Sequence, residues 1–183
     1  WALGRLKNAR KSLTYKEIAE WLAITLTTGV DTLTGTANND TFNADNTTWT
    51  VGDSITGGAG TDTFNFNKTA AIVAADVPPT GSTFTGIEIL KLSTSGNMTA
   101  VSTTGLTGVT QVTTTSVGDS ALTAAATQNV TSTVTGAVAA GTLSVQGGNN
   151  VSHTSTSANL ANTGTGSAIN IGTTTAVTGT VAG

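Results

Sequence analysis

A chain of 183 residues with 9% charged and 4% aromatic side chains, net charge −3 and no cysteine excludes several classes of protein at the outset. Large apolar side chains are too few for a thick globular core of Phe, Trp and Leu, so a narrow core of Val, Ile, Leu and Ala is expected. Disulfides and thiolate metal sites are impossible, no apolar run approaches the roughly eighteen residues of a membrane span, and no signal peptide is expected from the first residues.

Charge divides the chain unevenly. Residues 1–23 carry five basic and two acidic side chains, against two basic and eight acidic in residues 24–183, so two segments with different jobs are expected. In the first, Thr14-Tyr-Lys-Glu17 is a capping box with Leu13 and Ile18 at the staple positions, which predicts a helix over 15–22 with Ile18, Trp21 and Leu22 as its apolar stripe. Trp1, Leu3 and Leu6 fit a shorter helix before it. Residues 12–22 resemble the first helix of a helix-turn-helix, but 23–29 turn to β-branched residues where a recognition helix is required. No nucleic-acid partner is expected, and residues 1–23 read as the end of a helical N-terminal domain.

From Ile24 onward the pattern is β: short runs of Thr, Val and Ile separated by Gly, Asn and Asp. Within it, residues 31–43 are repeated at 53–65, every matched position shifted by 22. Gly57-Gly-Ala-Gly-Thr-Asp-Thr-Phe-Asn65 fits the nonapeptide G-G-x-G-x-D-x-U-x, whose physics points to Ca²⁺. Gly57, Gly58 and Gly60 let the chain curl and aim backbone carbonyls at one point, while Asp62 adds a carboxylate. A hard cation wanting about six to eight oxygens must draw the rest from a neighbouring coil, and 22 residues is a plausible coil length. The first copy keeps Gly35 and Asp40 but has Thr36 and Asn38 in place of glycines, which makes it the weaker site. Asn38 tolerates left-handed backbone and offers an oxygen. Phe42 and Phe64, two residues after each Asp, are expected to point inward. The alternative is that these stretches are simply turns between strands.

Pro78-Pro79 marks a connection, and 84–92 alternates through Ile87, Ile89 and, after a slip, Leu92 as one buried strand. A fainter repeat lays 121–133 onto 142–154 with a shift of 21, aligning Val101, Leu122 and Leu143, and also Val109, Val130 and Val151. Apolar residues recurring once per coil predict a mainly β, right-handed parallel β-solenoid or β-roll with calcium-binding turns, preceded by a short α-helical segment; an antiparallel β-sandwich is the alternative.

Residues 26–42, the Gly57–Asp62 loop, Thr85-Gly-Ile-Glu88 and the Gln128-Asn-Val-Thr131 stretch resemble the calcium-binding β-region of bacterial surface-layer proteins of the RTX class. The resemblance spans residues 24–183 and is most specific before residue 90. It implies an extracellular, calcium-dependent protein exported by a type I system, which self-assembles with copies of itself into a two-dimensional lattice on the bacterial surface, a helical N-terminal domain holding cell-surface polysaccharide. It assigns Gly57, Gly58, Gly60 and Asp62 to one calcium site and Gly35, Asn38 and Asp40 to a weaker one, with Asp31 and Asp53 completing sites from the preceding strands. On this reading 24–92 is an RTX-like calcium-binding region and 93–183 a Thr/Ala/Gly-rich solenoid, in a fragment of a longer chain. A secreted RTX repeat adhesin is the alternative.

No enzyme is expected, since neither a Gly-x-Ser-x-Gly elbow nor a His-Glu-x-x-His motif occurs. The single histidine, His153, reads as a solvated turn residue, and Glu17, Glu20 and Glu88 as surface charges of a helix and a strand. Ice binding would need Thr-x-Thr in the same place on every coil, and Thr113-Thr-Thr115 and Thr131-Ser-Thr133 read as out of strict register.

Overall fold

The computed structural model describes residues 23–136, 143–155 and 169–173. The helices expected within residues 1–22 lie outside them, and no helix among the described residues is long and apolar enough to cross a membrane. The strands are β1 (Ala23–Thr25), β2 (Thr32–Thr34), β3 (Thr41–Asp45), β4 (Ser54–Thr56), β5 (Thr63–Lys68), β6 (Ile72–Val73), β7 (Thr83–Thr85), β8 (Ile89–Thr94), β9 (Met98–Ser102), β10 (Gln111–Ser116), β11 (Ser120–Ala124), β12 (Asn129–Val134), β13 (Leu143–Gly147), β14 (Val151–Ser155) and β15 (Ile169–Thr173).

They wind into a parallel β-solenoid of about six turns. One long sheet, β1-β3-β5-β8-β10-β12-β14-β15, runs the length of the coil, and two short sheets, β2-β4-β7 and β6-β9-β11-β13, complete the turns. Every strand pairing is parallel, which rules out the antiparallel sandwich for the described residues. The 22-residue shift is a true coil: Thr32 pairs with Ser54 and Thr41 with Thr63.

The early coils close through the first short sheet and the late ones through the second; only the coil from β5 to β8 uses both. That longer coil carries a 3-10 turn at Ala74–Asp76, with an ion pair from Lys68 Nζ to Asp76 Oδ2 at 2.7 Å, and a cis peptide at Val77-Pro78.

Phe42 and Phe64 point inward as the period-two reading requires, and both are fully buried. The core is narrow, as expected, but its first half is aromatic. Trp49 packs at a tilt on Phe64 with ring centroids 4.5 Å apart and meets Phe66 edge-on at 5.0 Å, while Phe84 meets Phe64 edge-on at 5.1 Å. Among the described residues every Phe and Trp lies between positions 42 and 84. Beyond β9 the interior passes to Val112, Leu122, Val130, Val145 and Val151.

Three sequence expectations about register need correction. Residues 84–92 form two strands and a corner: Phe84 belongs to β7, Ile87 is buried in the corner, and β8 turns Leu90 and Leu92 inward. The repeat of 21 holds where Leu122 pairs with Val101 and Val130 with Val151, but the other partners are Val145 and Val112 instead of Leu143 and Val109. Coil length varies, with Gln111 pairing to Asn129 after 18 residues and Thr63 to Ile89 after 26, so a fixed shift loses register. Finally, Thr113 pairs with Thr131 and Thr115 with Thr133, then Ser152 and Thr154, so the hydroxyl rows are in register over three strands; Lys91 on β8 interrupts the first.

Candidate metal centre

From β3 to β12 the residue entering each strand of the long sheet occupies the same corner. Reading along the solenoid, these residues are Asp40, Asp62, Glu88, Thr110 and Gln128, and in the next coil Asn149 lies opposite Gln128. The backbone keeps them stacked, because Thr63 N donates to Asp40 O at 2.8 Å, Ile89 N to Asp62 O at 3.0 Å and Gln111 N to Glu88 O at 3.0 Å. Their side chains add a second ladder. The Asp40 N–H donates to Asp62 Oδ1 at 2.7 Å, and the Asp62 N–H donates to Glu88 Oε2 at 2.8 Å.

Within its own loop Asp40 Oδ2 accepts the Thr36 N–H and, at 3.0 Å, the Thr36 hydroxyl. The remaining oxygens, Asp40 Oδ1 and Asp62 Oδ2, are buried without a hydrogen-bond partner among the described residues. Both aspartates are essentially inaccessible, at 1% and 0% exposure. A buried anionic oxygen with no donor is costly unless a cation or proton answers it. Burial raises the Asp62 carboxyl above the ordinary aspartate value, and the charges of Asp40 and Glu88 push it the same way, against the hydrogen bond from the Asp40 backbone.

The glycines are where the loops touch. A Cβ on Gly57 would collide with the Gly86 carbonyl of the next coil and lie 2.5 Å from Asp62 Oδ2, so only glycine lets that carbonyl and carboxylate approach together. Gly35 has the same relation to the Gly57 carbonyl and Asp40 Oδ2. Gly58, at φ +110°, faces the Thr36 carbonyl, and Gly60 faces that of Asn38. The predicted residues Gly35, Asn38, Asp40, Gly57, Gly58, Gly60 and Asp62 are therefore gathered in one stacked corner.

Asp31 and Asp53 are not. They form a separate ladder at the start of the first short sheet, about 13 Å away along strands rising about 3.3 Å per residue. There the Asp31 N–H donates to Asp53 Oδ1 at 2.9 Å. Asp31 also accepts the N–H and hydroxyl of Thr27, and Asp53 those of Thr50, so both oxygens of each are partnered. These aspartates close turns.

Sequence reasoning missed two members of the corner row. Glu88 is the cap of the Asp62 coil rather than a surface charge, and its signal was its place directly ahead of a strand, like Asp40 and Asp62. Gln128 is fully buried where later coils have no acid. Its Oε1 accepts the Thr103 hydroxyl at 2.7 Å and the Ala125 N–H at 3.0 Å, and its Nε2 donates to Thr103 O at 3.1 Å.

No group of three or more His, Cys, Asp or Glu side chains is placed to hold a metal among the described residues. An ion at this corner would therefore rely on loop carbonyls and water beside Asp40 and Asp62. That donor set is all oxygen, suits a hard cation and is poor for zinc or copper. The fold defines the chain as a parallel β-solenoid with stacked glycine and aspartate corners. Compared with known proteins, it matches no protein-family model and no curated protein.

Proposed function

We propose that this chain is a structural segment of an extracellular surface layer whose first coils are locked by Ca²⁺. The observation that carries the reading is the pair of buried carboxylate oxygens, Asp40 Oδ1 and Asp62 Oδ2, that have no hydrogen-bond donor among the described residues, on aspartates whose Oδ2 atoms lie against the glycines of the stacked loops. Calcium would be held by Asp40 and Asp62 with carbonyls of the 35–39 and 57–61 loops, and it would supply the positive charge these groups lack. Asp31 and Asp53 act as turn closures on this reading.

Support for the larger assignment is the resemblance of residues 24–183 to RTX-class surface-layer proteins, together with a cysteine-free chain and an elongated fold of nearest-neighbour coils. The partners are further copies of the chain in a two-dimensional lattice and, through a helical N-terminal domain, surface polysaccharide. The role is structural, without catalysis.

Two measurements test it. Calorimetric titration with CaCl₂ should give saturable binding that Asp40→Asn and Asp62→Asn weaken and Asp31→Asn does not. Electron microscopy of the full-length protein on adding calcium should show ordered sheets. Binding without sheets would favour the repeat adhesin, and no saturable binding would end the calcium reading.

A further inference from the structure

His153 sits in β14 with its imidazole inside the solenoid, at 2% exposure, and neither Nδ1 nor Nε2 has a hydrogen-bond partner among the described residues. The expected solvated turn residue is thus a buried strand residue. It belongs to an inward row on the long sheet that changes character along the coil. Ala44, Phe66 and Leu92 occupy the row in the first coils, followed by Thr114, Ser132 and His153. Thr114 Oγ1 and Ser132 Oγ are also buried without hydrogen-bond partners among the described residues.

The sequence around this row is unusual in what it omits. From Ser120 to Gly183 there is no Asp, Glu, Lys or Arg, so His153 is the one ionisable side chain in that stretch. The strand beside it, β12, offers Ser132, and β15 pairs Ile171 opposite it. The second short sheet turns Leu122, Ala124 and Val145 inward. None of these elements, nor β11 or β13, carries a charge. The nearest acid in sequence is Asp119, at the corner entering β11 and two strand spacings, about 10 Å, back along the axis.

We infer that His153 is an acid-operated release for the later coils: the neutral imidazole fills the core, and protonation places an unanswerable charge there, opening the coils around β12 to β15. Burial makes the folded state resist the proton, holding the His153 pKa below its ordinary 6.5. The sign follows from linkage. Above the unfolded pKa both states are neutral and the coils keep full stability. As pH falls below it, the unfolded segment gains a proton that the folded one refuses, so the opening equilibrium rises up to about tenfold per pH unit until the folded pKa is reached. The device is independent of the calcium reading.

Hydrogen exchange read by mass spectrometry on the whole chain at pH 7.5, 6.5 and 5.5, corrected for intrinsic exchange, tests it in excess calcium and again in chelator. Peptides from 143–155 should lose protection by up to about tenfold from pH 6.5 to 5.5, and peptides from 63–68 should lose less. His153→Leu should abolish that difference. An equal loss in His153→Leu would overturn the inference. Should that variant fail to fold, the imidazole resonance decides, because the chain has one histidine. A titration midpoint well below that of free imidazole supports the release, and a midpoint like that of free imidazole overturns it.

Discussion

The backbone N–H of Asp40 is capped at 2.7 Å by the Oδ1 of Asp62, a residue 22 positions later and one coil further on. The same carboxylate that would ligate an ion therefore already performs a structural task. Substitution can separate the two, because an asparagine keeps an acceptor oxygen and discards the charge.

Asp62→Asn should accordingly lower calcium affinity by at least about tenfold, or 1.4 kcal/mol, while leaving the chelator-treated fold as stable as before or more so. Asp62→Ala should also strand the Asp40 N–H, at a cost of about 1–3 kcal/mol. Calcium titration calorimetry and urea unfolding in chelator distinguish the two variants.

Calcium affinity should also depend on pH. The ion needs ionised Asp62, and burial raises that carboxyl's pKa above the ordinary aspartate value. Protons therefore compete from a higher pH than at an exposed aspartate. Affinity should fall as pH is lowered from 7 to 5, with proton release on binding near the lower end, and Asp62→Asn should flatten the dependence. Titrations in buffers of different ionisation enthalpy measure the protons directly.

Gly57→Ala must displace both the Gly86 carbonyl and the Asp62 carboxylate, and Gly58→Ala must hold a side chain at φ +110°. Each should cost about 1–3 kcal/mol and lower the melting temperature with or without calcium. At Gly105 an added Cβ meets open space, so Gly105→Ala is the neutral control.

In the later coils Gln128→Leu should leave the Thr103 hydroxyl, the Thr103 carbonyl and the Ala125 N–H without their partner, at about 1–3 kcal/mol for each group that water cannot reach. Urea unfolding reads the loss, and calcium affinity at the distant Asp40 and Asp62 corner should not change.

The parts of this fold that were legible in sequence are those where one coil repeats another at constant length. Asp31 to Asn65 has that property, so the coil shift, the inward Phe42 and Phe64, and the clustering of Gly35, Asp40, Gly57 and Asp62 could all be read in advance. Register failed where coil length varies. The longer coil ahead of β8 concealed the equivalence of Glu88 with Asp62, and the short coil between β10 and β12 misaligned Val109 with Val130. His153 was unreadable for another reason: a Thr/Ser alternation carries no apolar signal to say which face is inside, so only the neighbouring strands fix its direction.

The corner ladder also has a polarity in time. Asp40's coil is finished by Asp62 and Asp62's coil by Glu88, so each turn waits for a group that lies further toward the C-terminus. A chain emerging from its N-terminal end would wind with a lag of one turn, each newly arriving corner sealing the one before it.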